Sequence, residues 1–235
     1  MKVVIFAGGL GSRLGTMTQH KPKPLLEIKK EPLIKYLMEK FIKKNFKDFL
    51  ILTGYKSKKI EDYFKKNKKK YSHCTIKILN TGVNTCTGKR LKLAEKYLPE
   101  KFILSYSDGL ANINLKKLIN FHLKKKKLVT VTAVRPPARF GELFVSGAKV
   151  VKFKEKQQMK RGWINGGFFV INKKFLSLIP NKNIMLEREP IFNATKKGQL
   201  YAYKHRDFWQ CVDTIRDYEI LKDLVKNKNY LWLNF

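Results

Sequence analysis

VVIFAGGLGSRLGTMTQHKPKP, Val3 to Pro24, joins an apolar run to a glycine loop and then to lysines spaced by prolines. Val3 to Ala7 is too short for an amphipathic helix and is bounded by glycine, so it reads as a strand buried on both faces of a parallel sheet. Gly8, Gly9 and Gly11 break the run. Glycine tolerates backbone angles closed to other residues and lets main-chain N–H groups approach a ligand, so such a loop at a strand's carboxyl end can cradle phosphate oxygens. A plain glycine turn would look the same. Arg13, Lys21 and Lys23 tilt the reading toward an anion, because Pro22 and Pro24 should hold both lysines on a stiff, extended segment.

Two familiar phosphate loops do not fit. The nucleotide-triphosphatase loop needs Lys-Ser/Thr after its last glycine, and the chain has Ser12-Arg13 there. The dinucleotide fingerprint needs a third glycine where Leu14 stands, and the second strand ends in Thr53-Gly54-Tyr55 without an acid for a ribose hydroxyl.

Beyond the loop, Leu33 to Ile42 has helical spacing behind Pro32, Phe49 to Thr53 is a second strand, and Ser57 can cap a helix through Phe64. Thr75 to Leu79, Phe102 to Tyr106 and Leu128 to Val134 read as further strands, with helices at Lys89 to Leu98 and Leu115 to Lys124. Strand and helix alternate, which predicts a doubly wound, mainly parallel sheet with ligands beyond the strands' carboxyl ends. The second half changes pattern: a hairpin from Leu143 to Phe153 about Ser146-Gly147, a strand from Ile164 to Ile171 interrupted by two glycines, a strand at Leu200 to Tyr203, and a last helix with Ile215, Ile220, Leu221, Leu224 and Val225 facing inward. No repeat or linker divides the 235 residues, so one domain is expected.

The chain carries 51 basic and 18 acidic residues, a net charge of +33. Such a charge raises nucleic acid or an anionic membrane as partners. Only 8 of the 51 are arginine, the residue suited to forked phosphate recognition, so the lysine excess reads as solvated helix faces rather than a polyanion footprint. Cys74, Cys86 and Cys211 are odd in number and far apart, and the four histidines are scattered, which argues against a disulfide framework or a zinc site. Neither a signal peptide nor an apolar run of membrane-spanning length is seen, so a cytoplasmic protein is expected.

Two carboxylates stand out. Asp108 sits at a strand's end beside glycine, where it could bind a hard divalent ion or simply make an Asp-Gly turn. Asp213 could join it, although on spacing alone its place ahead of the last helix favours a helix cap. Thr81-Gly82 and Thr87-Gly88 bracket a second loop that could face a base or be a plain connector.

GGLGSRLGTMTQHKPKPLLEI resembles the signature of sugar-1-phosphate nucleotidylyltransferases, and later segments bring the chain closest to the glucose-1-phosphate cytidylyltransferase group. The resemblance runs nearly end to end. It implies a Rossmann-like three-layer α/β/α fold with a mainly parallel central sheet and a small β-rich sugar-binding half, the division falling near residue 110. It implies transfer of a nucleotidyl group, with CTP as the favoured donor, to a sugar 1-phosphate with Mg2+ as cofactor, and a homo-oligomer as a further expectation. Residue by residue, Arg13 and Lys23 would act on the triphosphate, with Gly8, Gly9, Gly11 and Ser12 around it. Asp108 of Tyr106-Ser107-Asp108-Gly109 and Asp213 of Trp209-Gln210-Cys211-Val212-Asp213-Thr214 would hold the metal. Thr81, Thr87 and Gly88 would lie on the base side, Gly141, Glu155 and Asn165 on the sugar, and Lys156 on its phosphate. Ser107 stands where glycine is common and Gln157 where proline usually follows the lysine. The stretch from about Lys65 to Leu79 is shorter than in that group, where it contributes to subunit contacts and the nucleotide site, so base and subunit number stay open.

Overall fold

The computed structural model describes residues 1–136, 142–154 and 162–233. Its chain order is β1 (Lys2–Ala7), β2 (Glu27–Ile28), β3 (Glu31–Pro32), α1 (Leu33–Lys43), β4 (Asp48–Thr53), α2 (Ser57–Lys66), β5 (Thr75–Asn80) and α3 (Thr87–Leu93). There follow β6 (Lys101–Tyr106), β7 (Gly109–Ala111), α4 (Leu115–Lys125), β8 (Val129–Val134), β9 (Glu142–Ser146), β10 (Lys149–Lys154), β11 (Ile164–Asn172), α5 (Glu189–Lys196), β12 (Leu200–Lys204), β13 (Trp209–Cys211) and α6 (Ile215–Lys226).

Seven strands form one sheet in the order β12-β8-β11-β6-β1-β4-β5. β1 is parallel to β4 and β6, β4 to β5, and β12 to β8, whereas β11 runs antiparallel to both neighbours. The unbroken apolar runs reflect burial on both faces. In β1, Val3, Ile5 and Ala7 face one core with Leu37 and Phe41 of α1, while Val4 and Phe6 face the other with Leu91 of α3 and Ala194 of α5. β4 repeats the pattern, with Phe49 and Ile51 on one side and Leu50 and Leu52 on the other. Helices on both faces make the expected three-layer α/β/α arrangement with a mainly parallel sheet. No helix among the described residues is long and apolar enough to cross a membrane.

Several local expectations are corrected. Lys23 is not extended but opens a 3-10 turn, Lys23–Leu25, after the extended Pro22. Ser57 is the first helical residue of α2 rather than its cap; its hydroxyl lies 2.7 Å from that of Thr53. The helix expected at Lys89 to Leu98 is α3, starting at Thr87 and ending at Leu93, followed by a 3-10 turn over Glu95–Tyr97. On α6, Leu221 and Val225 are buried, but Ile215 and Ile220 face solvent. The hairpin forms as β9 and β10, paired with each other outside the main sheet, with Leu143, Val145 and Phe153 exposed.

Candidate active site

The glycine loop leaves β1 at the carboxyl edge of the sheet and turns into a 3-10 segment, Ser12–Thr18. Gly11 has φ 69°, and a side chain there would also press on Thr18, whose hydroxyl donates to the Gly11 carbonyl at 3.1 Å. Glycine is required there twice over, by angle and by space. This segment carries Arg13, and the Lys23–Leu25 turn that follows carries Lys23.

The carboxylates arrive by a different route. β7 pairs antiparallel with β13, Gly109 opposite Cys211, and the Val212 amide donates to the Asp108 carbonyl at 2.9 Å. That pairing sets Asp108 and Asp213 side by side although 105 positions separate them. The buried Lys40 amino group donates to the carbonyls of Ala111 and Ile113, fixing the far end of β7. Asp213 is not the helix cap. Thr214 caps α6, in a reciprocal capping box with Asp217, which leaves the Asp213 carboxylate free to face the site.

The charges meet there. Lys23 Nζ lies 2.5 Å from Asp108 Oδ2 and 3.0 Å from Asp213 Oδ1, and the Arg13 guanidinium pairs with the other oxygen of Asp213. Burial alone would pull the Lys23 ammonium down; Asp108 and then Asp213 more than offset it and hold it above its usual range. The Cys211 thiol, partly buried and close to the same aspartates, is pushed up to about 12 and is no nucleophile near neutral pH. The group borders a cavity of about 230 Å³ lined in part by Gly9, Gly11, Ser12, Arg13, Lys23, Thr87, Asp108 and Asp213.

The remaining candidates fall elsewhere. A side chain at Gly8 would collide with the Arg90 guanidinium, and one at Gly88 would come within 2.7 Å of the Ile184 carbonyl oxygen, so both glycines serve close packing. The Gly88 amide is spent on that carbonyl at 2.9 Å. Thr81 is buried, donating to the Thr53 carbonyl at 2.8 Å and accepting from Arg90. Lys21 pairs with Glu27 at 2.6 Å, away from the aspartates. Asn165 accepts from the Gly167 amide at 2.8 Å and hydrogen-bonds Tyr106, whose hydroxyl is raised well above its usual range by burial and by Glu187. Gly141, Glu155 and Lys156 lie outside the described residues.

Three groups escaped the sequence reading. Arg90 is buried and donates to the carbonyls of Thr53, Gly82, Thr85 and Gly8 and to the Thr81 hydroxyl, tying together the ends of β1, β4 and β5. Its guanidinium meets five neutral acceptors, and burial pulls its pKa down. Glu187 accepts from Thr87 at 2.8 Å and from Tyr106, both of which border the cavity. Asn183 holds the loop before α3. The one available signal was Arg90 itself, a rare arginine in a lysine-rich chain, three positions after Thr87 and so on the same side of the helix.

A parallel sheet with a glycine loop, two cations and two converging carboxylates at its carboxyl edge defines an enzyme that handles phosphates. The chain belongs to the nucleotidyl transferase family, whose model matches residues 2–227. It is 36% identical to the glucose-1-phosphate cytidylyltransferase of Salmonella typhi over 99% of this chain and 98% of that one. That alignment runs to 253 positions, more than the 235 residues here, so the relative has stretches without counterpart in this chain. The mannose-1-phosphate guanylyltransferase catalytic subunit beta of Drosophila melanogaster is 27% identical over 92% of this chain and 60% of its own. Among solved structures, HddC from Yersinia pseudotuberculosis superposes with a TM-score of 0.75 at 26% identity, covering 95% of this chain and 99% of that one.

Proposed function

We propose that the chain transfers a cytidylyl group from CTP to glucose 1-phosphate, giving CDP-glucose and pyrophosphate. The observation that carries this reading is the convergence of Arg13 and Lys23 on Asp108 and Asp213 beside the glycine loop, in a chain whose relatives include a glucose-1-phosphate cytidylyltransferase over nearly its full length. The attacking phosphate oxygen is already ionised near neutral pH, so the reaction needs no general base. It forms a bond to the α-phosphorus as the bond to pyrophosphate breaks, and the barrier lies in bringing anions together and carrying the charge that leaves.

In this reading Arg13 and Lys23 swing from the aspartates to the triphosphate, with the main chain of Gly9, Gly11 and Ser12 lining its path. Asp108 and Asp213 fit a hard divalent cation: two carboxylate oxygens already converge on one ammonium, and waters or phosphate oxygens would complete the shell of Mg2+. When bound, the ion neutralises phosphate charge. Asn165, Gly141, Glu155 and Lys156 are assigned to the acceptor on family likeness alone. Residues to about 110 would then carry the nucleotide and those after it the sugar phosphate, within one domain working in the cytoplasm. Neither a membrane nor a nucleic acid has a part in this reading; assembly into a homo-oligomer rests on the likeness alone.

The alternative keeps the chemistry and changes the substrates, favoured by the guanylyltransferase among the relatives. Pyrophosphate release with each of CTP, UTP, dTTP, GTP and ATP against a panel of sugar 1-phosphates decides between them. The expected result is turnover with CTP and glucose 1-phosphate, lost about 100-fold or more in Asp108→Ala. No release with any pair, or an unimpaired Asp108→Ala, refutes the assignment.

A further inference from the structure

The stretch of residues 181–187 lies across the loop that precedes α3, about a hundred positions earlier in the chain. The Ile184 carbonyl accepts from the amides of Gly88 (2.9 Å) and Lys89 (3.3 Å), the Leu186 amide donates to the Thr87 hydroxyl at 2.8 Å, and Lys89 Nζ donates to Asn181 Oδ1 at 2.8 Å. Asn183 reaches furthest. Its Oδ1 accepts from the Cys86 amide at 2.8 Å, and its Nδ2 donates to the Asn84 carbonyl at 2.9 Å. One side-chain amide thus bonds an N–H and a C=O two residues apart, as the next strand of a sheet would. The orientation is fixed by its partners: a flipped amide would oppose donor to donor and acceptor to acceptor.

The loop so held is also tied by Arg90, which takes the carbonyls of Gly82, ahead of Asn84, and of Thr85, between the two positions that Asn183 holds, and it runs into Thr87 on the cavity wall. On either side of Thr85, the main chain at Asn84 and Cys86 has Asn183 as its side-chain partner from outside the loop. We propose that Asn183 is a positioning residue, setting the course of residues 82–86 into Thr87 on the cavity wall so that the nucleoside meets a preformed surface there. The proposal rests on the nucleotidyl-transfer reading above. A wall fixed in advance spares the ligand the entropy of ordering it, so loosening it weakens nucleotide binding while leaving the phosphate chemistry at Lys23 and Asp108 in place.

The test is Asn183→Asp, which keeps the acceptor for Cys86 and sets a carboxylate oxygen against the Asn84 carbonyl, with Asn183→Ala as a second variant that removes both bonds. CTP affinity by calorimetry and KM for CTP should each weaken about 10-fold, the scale of one lost hydrogen bond with its acceptor left opposed. The kcat should stay within about threefold and the KM for glucose 1-phosphate should not move. Hydrogen exchange of the Cys86 amide should quicken about 10-fold in Asn183→Ala while that of the Gly88 amide holds. CTP binding equal in parent and variants overturns the proposal, as does a fall in kcat with general loss of thermal stability, which would mark Asn183 as structural only. Failure of the parent chain to bind CTP at all refutes instead the functional reading on which the proposal stands.

Discussion

Replacing Lys23 by alanine should do two opposite things: cut turnover sharply and tighten the binding of a divalent ion to the free protein. The Lys23 ammonium spans Asp108 at 2.5 Å and Asp213 at 3.0 Å, with its own side chain 12% exposed and the carboxylates 23% and 30%. It occupies the approach that a metal ion would use. A charge-assisted hydrogen bond in such partly screened surroundings contributes about 1.5 to 3 kcal/mol. A metal ion entering without nucleotide must displace at least one, so removing the competitor should strengthen Mn2+ binding about 10- to 100-fold. Turnover should fall about 100-fold or more, because the triphosphate loses its buried cation. Titration of nucleotide-free protein with Mn2+, followed by electron paramagnetic resonance or calorimetry, reads the first effect, and pyrophosphate release reads the second. A folded Lys23→Ala that binds Mn2+ no better than the parent would refute the argument, and weaker binding would show that Lys23 orients the carboxylates rather than competing for them.

Arg90→Met should leave five acceptors at the ends of three strands without their shared donor, costing about 3 kcal/mol, or roughly 6 to 12 °C in Tm for a chain this long; calorimetry showing less than 2 °C would contradict its role as the tie between them. Lys40 gives a pH signature. Burial, with some help from Lys44, lowers its pKa from 10.5 to about 7. Between those values the unfolded chain holds a proton that the folded chain has released, so stability conferred by this position rises with pH across that window and is least below pH 7. The Tm of the parent relative to Lys40→Met should climb from pH 7 to pH 10, and a flat difference would show that Lys40 stays charged in the core.

What the sequence revealed and what it hid divide along the range of the contacts involved. β1, its glycine loop and the alternating strands were legible because burial on two faces leaves a local apolar signature, as in VVIFA and FLILT. Asp108 was legible from its strand end. Asp213 was ambiguous until the structure showed Thr214, one position on, doing the capping with Asp217. The direction of β11 and the pairing of β7 with β13 were not legible, since a three-residue strand has no period and its partner lies a hundred residues away. Gly8 and Gly88 look like ligand-binding glycines in a linear motif, yet each makes room for a neighbour that only folding brings near, the Arg90 guanidinium in one case and the Ile184 carbonyl in the other. The exposed Ile215 and Ile220 show the opposite error, in which helical spacing is read as burial without knowing which face the sheet covers.

The reversed course of β11 has an evolutionary consequence. Ile164 at its beginning is in register with Val134 at the end of β8, so the chain leaves and re-enters the sheet at one doorway, on the same edge as the aspartates. Everything between the two is an excursion whose ends are already clasped. Lengthening such an excursion costs only the slow logarithm of loop closure. Descendants of this fold could therefore gain or lose residues there by insertion or deletion while the strands and the charges beside them stay as they are.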